Sequence, residues 1–428
     1  MKKGDAVYEA YWNILREELR PAMGCTEPIA LAYAGAKARQ ILGKIPEQVD
    51  IYVSGNIIKN VKSVIVPNTG GLHGIAPAVC AGIIAGDAER LLEVISQVSD
   101  EQRQQLHRYL ETAKIQLFPA ESSLVFDIDL TLRSGEDSVR LRLANHHTNI
   151  VYMEKNGQIL HSQPVTESSE DKLTDKSCLN MEQIVEFADT VAISDIEDLV
   201  GRQIDCNLAI AEEGIANNWG ANIGSVLLSR QGQLLSKRAA AYAAAGSDAR
   251  MSGCEMPVII LSGSGNQGIT ASVPVAIYAR ELGKSREELL RAVTLSDLVT
   301  IHQKTGIGRL SAYCGAISAG CGAGAGIAYL MGGRFHAVAH TVVNAIAILS
   351  GTICDGAKPS CAAKIAAAVD AGILGCDMYW ERQQFYGGDG IVTKGVDKTV
   401  TNVGILAREG MRETDKTILQ IMLGDGCM

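Results

Sequence analysis

Residues 314–361 read CGAISAGCGAGAGIAYLMGGRFHAVAHTVVNAIAILSGTICDGAKPSC, and the interpretation of the whole chain turns on them. The first half is so rich in Gly and Ala that a helix there must pack by close backbone approach. The second half is an apolar helical pattern that ends in Cys354-Asp-Gly-Ala-Lys-Pro-Ser-Cys361. Gly356 and Pro359 let the backbone double back between the two thiols, so both sulfurs can face one point. Cys314 adds a third thiol from the preceding helical stretch, and three thiols suit an iron–sulfur cluster with one open iron. Buried cysteine also packs as a small hydrophobe, and the residues by themselves leave both readings open. Zinc fits less well, because no C-x2-C pair is present.

Leu310 to Gly333 is uncharged and long enough to cross a bilayer, with Gly320 and Gly324 at small-x3-small spacing. It holds few Leu, Ile or Phe, so it reads as a buried helix rather than a membrane span. His336 and His340 fall one turn apart on the next helix and share a face. They are either ligands or buried hydrogen-bonding groups; His340, nearer the thiol loop, is the candidate for the substrate site. Just before Cys314, the segment from Ile301 to Arg309 offers Lys304 and Arg309, either of which could grip a carboxylate or sit in a solvated loop.

The chain of 428 residues is long for one hydrophobic core. Hydrophobic residues make up 47% and charged residues 20%, with mean hydropathy +0.09, as in a well-buried globular protein. A net charge of −9 argues against nucleic acid, which attracts a basic face. Eleven cysteines suit a reducing cytoplasm better than a disulfide framework, and the acidic residues in MKKGDAVYEAYWNILREEL exclude an export signal core there.

Asp5 to Leu19 has helical apolar spacing and Pro21 stops it. Cys25-Thr-Glu-Pro then opens a second helix, with Thr26 as cap, Glu27 at the favourable dipole end and Pro28 in the first turn. A thiol at a helix start has its thiolate favoured, which makes Cys25 a candidate reactive group; simple precedence before a capped helix is the alternative. Gln48 to Val66 alternates as two short strands around Ser54-Gly55-Asn56, and His73 lies in the Gly-rich loop beyond them, a substrate-site candidate beside the reading as a hydrogen-bonding surface residue. Ile115 to Leu160 reads as an antiparallel strand series. The expected organisation is α+β: an N-terminal α+β domain (1–165), a polar linker (166–180), and a mainly helical domain (181–428) carrying the thiols.

Met256 to Gly268, MPVIILSGSGNQG, contains G-x-G-x-x-G after an apolar run. The context does not suit a dinucleotide fold, since Pro274 interrupts the next segment and no second strand ends in an acid. Successive backbone N–H groups and a helix start would instead hold a carboxylate, with Ser262, Ser264 and Asn266 adding side-chain hydrogen bonds. A plain turn is the alternative.

Cys25 in Gly-Cys-Thr-Glu-Pro, the SGSGNQG stretch, Cys314 in SAYCGA and the Cys354–Cys361 loop resemble the L-cysteine desulfidase family, related to the oxygen-sensitive iron–sulfur L-serine dehydratases. The resemblance covers nearly the whole chain. It implies a [4Fe-4S] cluster held by Cys314, Cys354 and Cys361, with the fourth iron free for substrate. It also implies a cytoplasmic lyase that releases hydrogen sulfide from L-cysteine, with Cys25 as the base or as resting occupant of the open iron. L-Serine dehydration and a non-catalytic cluster-carrying redox protein are the alternatives. The expected partner is a small amino-acid substrate, with no nucleic acid and no membrane, and homo-oligomers are compatible.

Overall fold

The computed structural model describes residues 1–122, 124–165, 173–308 and 311–423. Helix α1 (Ala6–Glu18) buries Tyr8, Tyr11, Ile14 and Leu15 on one face, and β1 (Arg20–Met23) follows. After α2 (Thr26–Leu42) comes β2 (Gln48–Val53), then α3 (Gly55–Val61), α4 (Ile75–Ala85) and α5 (Asp100–Thr112). The second strand expected beyond Ser54 is therefore helix α3. Extended Ser54 is its N-cap residue, and every residue from Asn56 to Val61 is buried, where a half-buried strand would bury alternate ones.

Strands β3 (Lys114–Pro119), β4 (Asp127–Ser134), β5 (Asp137–Ala144), β6 (Ile150–Lys155) and β7 (Gln158–Ser162) join β2 in one sheet of order β3-β2-β4-β5-β6-β7. All its pairs are antiparallel except β2–β3. The parallel pair is feasible because three helices separate those strands and supply the long return. Apolar residues alternate along the middle strands: Val49, Ile51, Ile128, Leu130, Val139 and Leu141 are buried in a core shared with α2 and α4. The opposite face carries the cross-strand ion pairs Arg133–Asp50, Arg140–Asp129 and Arg142–Asp127.

The rest of the described chain is helical apart from β8 (Pro257–Ile260), which lies between α9 and α10. The helices are α6 (Met181–Thr190), α7 (Ile193–Ala216), α8 (Ile223–Gln231), α9 (Leu235–Met251), α10 (Gly265–Glu281), α11 (Arg286–Ile307), α12 (Gly315–Leu330), α13 (Phe335–Leu349), α14 (Ser360–Trp380), α15 (Val396–Ile405) and α16 (Arg412–Leu423). Of the segment expected to be a linker, 166–172 lies outside the described residues. The remainder is tied down on α1, with Thr174 N–H donating to Glu17 and Lys176 paired with Glu18. The first residues also belong to the helical core: Tyr8 and Tyr11 pack on Phe187 of α6, and β1 pairs antiparallel with β8. The chain thus starts in the helical body, crosses to the sheet at Cys25, and returns.

Helix α12 lies buried among α10, α11, α13 and α14. A Cβ on Gly320 would fall 2.3 Å from the Ala368 carbonyl oxygen, and one on Gly372 of α14 would fall 2.1 Å from that of Gly320. Side chains at this crossing would force the helices apart, which explains the Gly/Ala-rich sequence without a membrane. Among the described residues no helix is long and apolar enough to cross one. Pro274 does not stop α10 either. It forfeits one hydrogen bond, to the Thr270 carbonyl, while packing against α9, α11 and α12 keeps the helix continuous.

Candidate active site

A cavity of about 110 Å³ opens where the two cores meet. The starts of α2 and α10, the helix α3, the segment 311–316 and the 354–361 loop all contribute to its wall. It brings together Cys25, Ser264, Asn266, Lys304, Cys314, Cys354 and Cys361 from among the residues singled out in the sequence.

The thiol segments are set side by side by backbone pairing. Cys314 N–H donates to the Thr352 carbonyl at 3.0 Å and Cys354 N–H to the Ala312 carbonyl at 2.6 Å, around a bridge between Tyr313 and Ile353. Cys314 is the N-cap residue of α12, and Cys361 sits in the first turn of α14. Between the last two thiols, Gly356 takes φ +95° and lies against the Lys59 carbonyl, where a Cβ would come within 2.1 Å. Lys358 and Lys364 both reach Asp355 Oδ1 at 2.5 Å and also donate to loop carbonyls, which crosslinks the loop. Partial burial works against ionisation of Asp355, yet the two ammonium groups hold it at about 2.

Burial first, then neighbouring Cys354, pushes the Cys314 thiol up to about 12. Burial likewise raises Cys361, while Lys358 and Lys364 oppose the shift. Among the described residues no three His, Cys, Asp or Glu converge tightly enough for a single ion, whose thiolate ligands would stand roughly 3.8 Å apart. Three thiols lining one cavity, with the Cys314 and Cys354 segments paired through their backbones, are the donor chemistry that an iron–sulfur group takes.

Cys25, rather than Thr26, is the N-cap residue of α2. The Thr26 hydroxyl instead lies 2.9 Å from Glu27 Oε2 and 3.1 Å from the Gly263 carbonyl oxygen. The expected thiolate at this helix start is corrected by the structure. Burial, and then the carboxylate of Glu27, push the Cys25 thiol up, and Arg250 only partly opposes them. Cys25 is therefore a thiol that donates to Glu27 Oε2 at 3.3 Å.

At the start of α10, Ser262 (φ 48°) and Gly263 (φ 79°) form a two-residue turn closed by reciprocal backbone bonds between Leu261 and Ser264. Because β8 pairs antiparallel with β1, the G-x-G-x-x-G does not sit in a parallel βαβ unit. Asn266 Oδ1 accepts from Arg250 Nη1 at 3.0 Å. The Ser262 side is turned to a smaller adjoining cavity, shared with Lys304 and the Glu18–Lys176 ion pair. His73 is not brought to the site; it bridges back to Ile65 in its own loop. Nor is His340, which stacks on Tyr379 and whose proton affinity is lowered by burial and then by His336. Arg309 lies outside the described residues.

Sequence reading passed over three charged residues of the wall: Glu27, Lys59 and Arg250. Glu27 stood inside the Cys25 motif. Arg250 was visible as a lone cation near the end of an alanine run, AAAYAAAGSDARM. Lys59 had no such signal, since its burial depends on α16: it is 1% exposed, and its Nζ meets Asp415 at 2.5 Å.

Residues 89–420 match the serine dehydratase alpha chain family. Over nearly the full length the chain is similar to UPF0597 proteins. That of Desulfitobacterium hafniense is 57% identical over 423 residues, covering 99% of this chain and 98% of that one. That of Treponema denticola is 46% identical over 426 residues (98% of each), and that of Actinobacillus pleuropneumoniae serotype 3 is 36% identical over 428 residues (99% of each).

Proposed function

This chain belongs to the serine dehydratase alpha chain family, and from that premise we propose that it is an iron–sulfur lyase that eliminates hydrogen sulfide from L-cysteine to give pyruvate and ammonia. The observation that carries the proposal is one cavity lined by Cys314, Cys354 and Cys361 together with Cys25, Glu27 and the start of α10. When bound to those three thiols with one iron lacking a protein ligand, a [4Fe-4S] cluster supplies a Lewis acid that favours departure of the sulfur.

The chain's own groups do the rest. The start of α10, with Ser264 and Asn266, receives the carboxylate through its N–H groups and the positive end of the helix. The Cys25 proton passes to Glu27, its hydrogen-bond acceptor, and the resulting thiolate removes the proton on Cα. The Cα electron pair forms the double bond as the Cβ–S bond breaks and hydrogen sulfide leaves. The remaining aminoacrylate tautomerises and takes up one water to give pyruvate and ammonia. L-Serine, losing water by the same steps, is the second reading, and the name of the matched family favours it. Assaying pyruvate from L-cysteine and from L-serine under anaerobic conditions decides between them, and no pyruvate from either removes the lyase reading.

Two expectations concern single residues. Asn266→Ala should raise KM about tenfold or more, as for a lost hydrogen bond to a charged group; unchanged KM and kcat would take Asn266 out of the site. Cys25→Ser and Cys25→Ala should both keep their iron but lose exchange of the substrate Cα proton with solvent, followed by NMR in deuterated water. Near-full activity in both would show that Cys25 has no essential part in the chemistry.

A further inference from the structure

We infer that Arg250 is the anchor for the substrate's carboxylate, its guanidinium fork closing on the two oxygens. The lyase reading enters only in the choice of ligand, a small α-amino or α-keto acid. Arg250 is 2% exposed on α9, yet it lines the cavity. Among the described residues no carboxylate pairs with it within 4 Å. Its Nη1 donates to Asn266, and its Nε is buried without an acceptor. A buried charge left this way is costly, and the usual remedy is a partner of opposite sign.

Glu27, the acid among the lining residues, is already engaged, since its Oε2 accepts from Cys25 and stands 2.9 Å from the Thr26 hydroxyl. A carboxylate entering the cavity would supply the missing opposite charge to the guanidinium. Space has been kept for this arrangement: a Cβ on Gly265, the first residue of α10, would fall 2.3 Å from Arg250 Nε. The guanidinium thus lies against the start of a 17-residue helix, where dipole and cation favour the same anion. Arginine suits the task better than lysine, because its rigid fork matches a carboxylate at two points. The rival role is counter-charge to Cys25, whose thiol Arg250 draws downward.

The test is calorimetric binding of pyruvate and of its uncharged amide, pyruvamide, to the anaerobically purified protein. Wild type should bind pyruvate at least about tenfold more tightly than pyruvamide. Arg250→Gln should lose that preference. Arg250→Lys, which keeps charge and most of the volume, should weaken pyruvate by about tenfold and leave pyruvamide unchanged. No preference in wild type, or wild-type pyruvate affinity in either folded variant, overturns the inference, and the second result assigns Arg250 to Cys25 instead. A protein that turns over neither cysteine nor serine but shows the Arg250-dependent preference would sink the lyase reading and leave the anchor standing.

Discussion

Cys361→Ala is expected to purify without iron and to make no pyruvate, and Cys314→Ala and Cys354→Ala should behave alike. Each thiol lines the same cavity, and the backbone pairing of 312–314 with 352–354 holds the Cys314 and Cys354 segments side by side. Removing one leaves two ligands for a group that needs at least three. The control is Cys321→Ala. That thiol is 2% exposed within α12 and absent from the cavity wall, so its loss should cost packing only, roughly 1 kcal/mol, and leave the iron content intact. Iron and acid-labile sulfide, measured on all four variants beside a thermal melt, separate loss of the cluster from loss of the fold. Full iron in all three wall variants would refute the ligand assignment.

The second large effect is on stability and lies away from the cavity. Asp297 of α11 is 0% exposed and burial pushes its carboxyl up to about 8. Gln203 of α7, also fully buried, donates to Asp297 Oδ1 at 2.9 Å. Asp297 Oδ2 and Gln203 Oε1 are both buried without a partner, and a proton on Asp297 removes the cost of holding a bare charge there. The folded protein then binds a proton that the unfolded chain releases near pH 4, so this contribution is complete below pH 4 and is lost as pH rises towards about 8. The slope is about 1.4 kcal/mol per pH unit. Asp297→Asn keeps an oxygen to accept from Gln203 and cannot ionise. It should melt with wild type near pH 4 and be the more stable at pH 7, by up to about 4 kcal/mol. A stability difference that does not change with pH would show that Asp297 carries no such proton.

Much of this architecture is legible in the chain itself. The α+β class follows from period-2 alternation in 127–144 and from helical apolar spacing beyond 181, and the thiol loop from Gly356 and Pro359. What fails are inferences in which tertiary packing overrides a local signal. Val61 and its neighbours alternate well enough for a strand, yet α3 forms because the thiol loop and α16 pack on it. Gly356 lies against Lys59, and Leu419 occupies the space beside Gly55. Pro274 reads as a stop, but a buried helix tolerates one missing bond. The thiolate expected at Cys25 came from a dipole argument that holds at an exposed helix start. Here the thiol is 3% exposed beside a carboxylate, and those two effects outweigh the dipole. Arg250 and Lys59 reach the cavity from α9 and α3, elements far apart in sequence, so no spacing rule could have placed them together.

The iron–sulfur lyase reading is tested most directly by iron and acid-labile sulfide per chain in the wild-type protein purified without oxygen. Roughly four of each are expected, lost on exposure to air as pyruvate formation is lost. Protein that contains neither, yet still forms pyruvate from cysteine or serine, would contradict it.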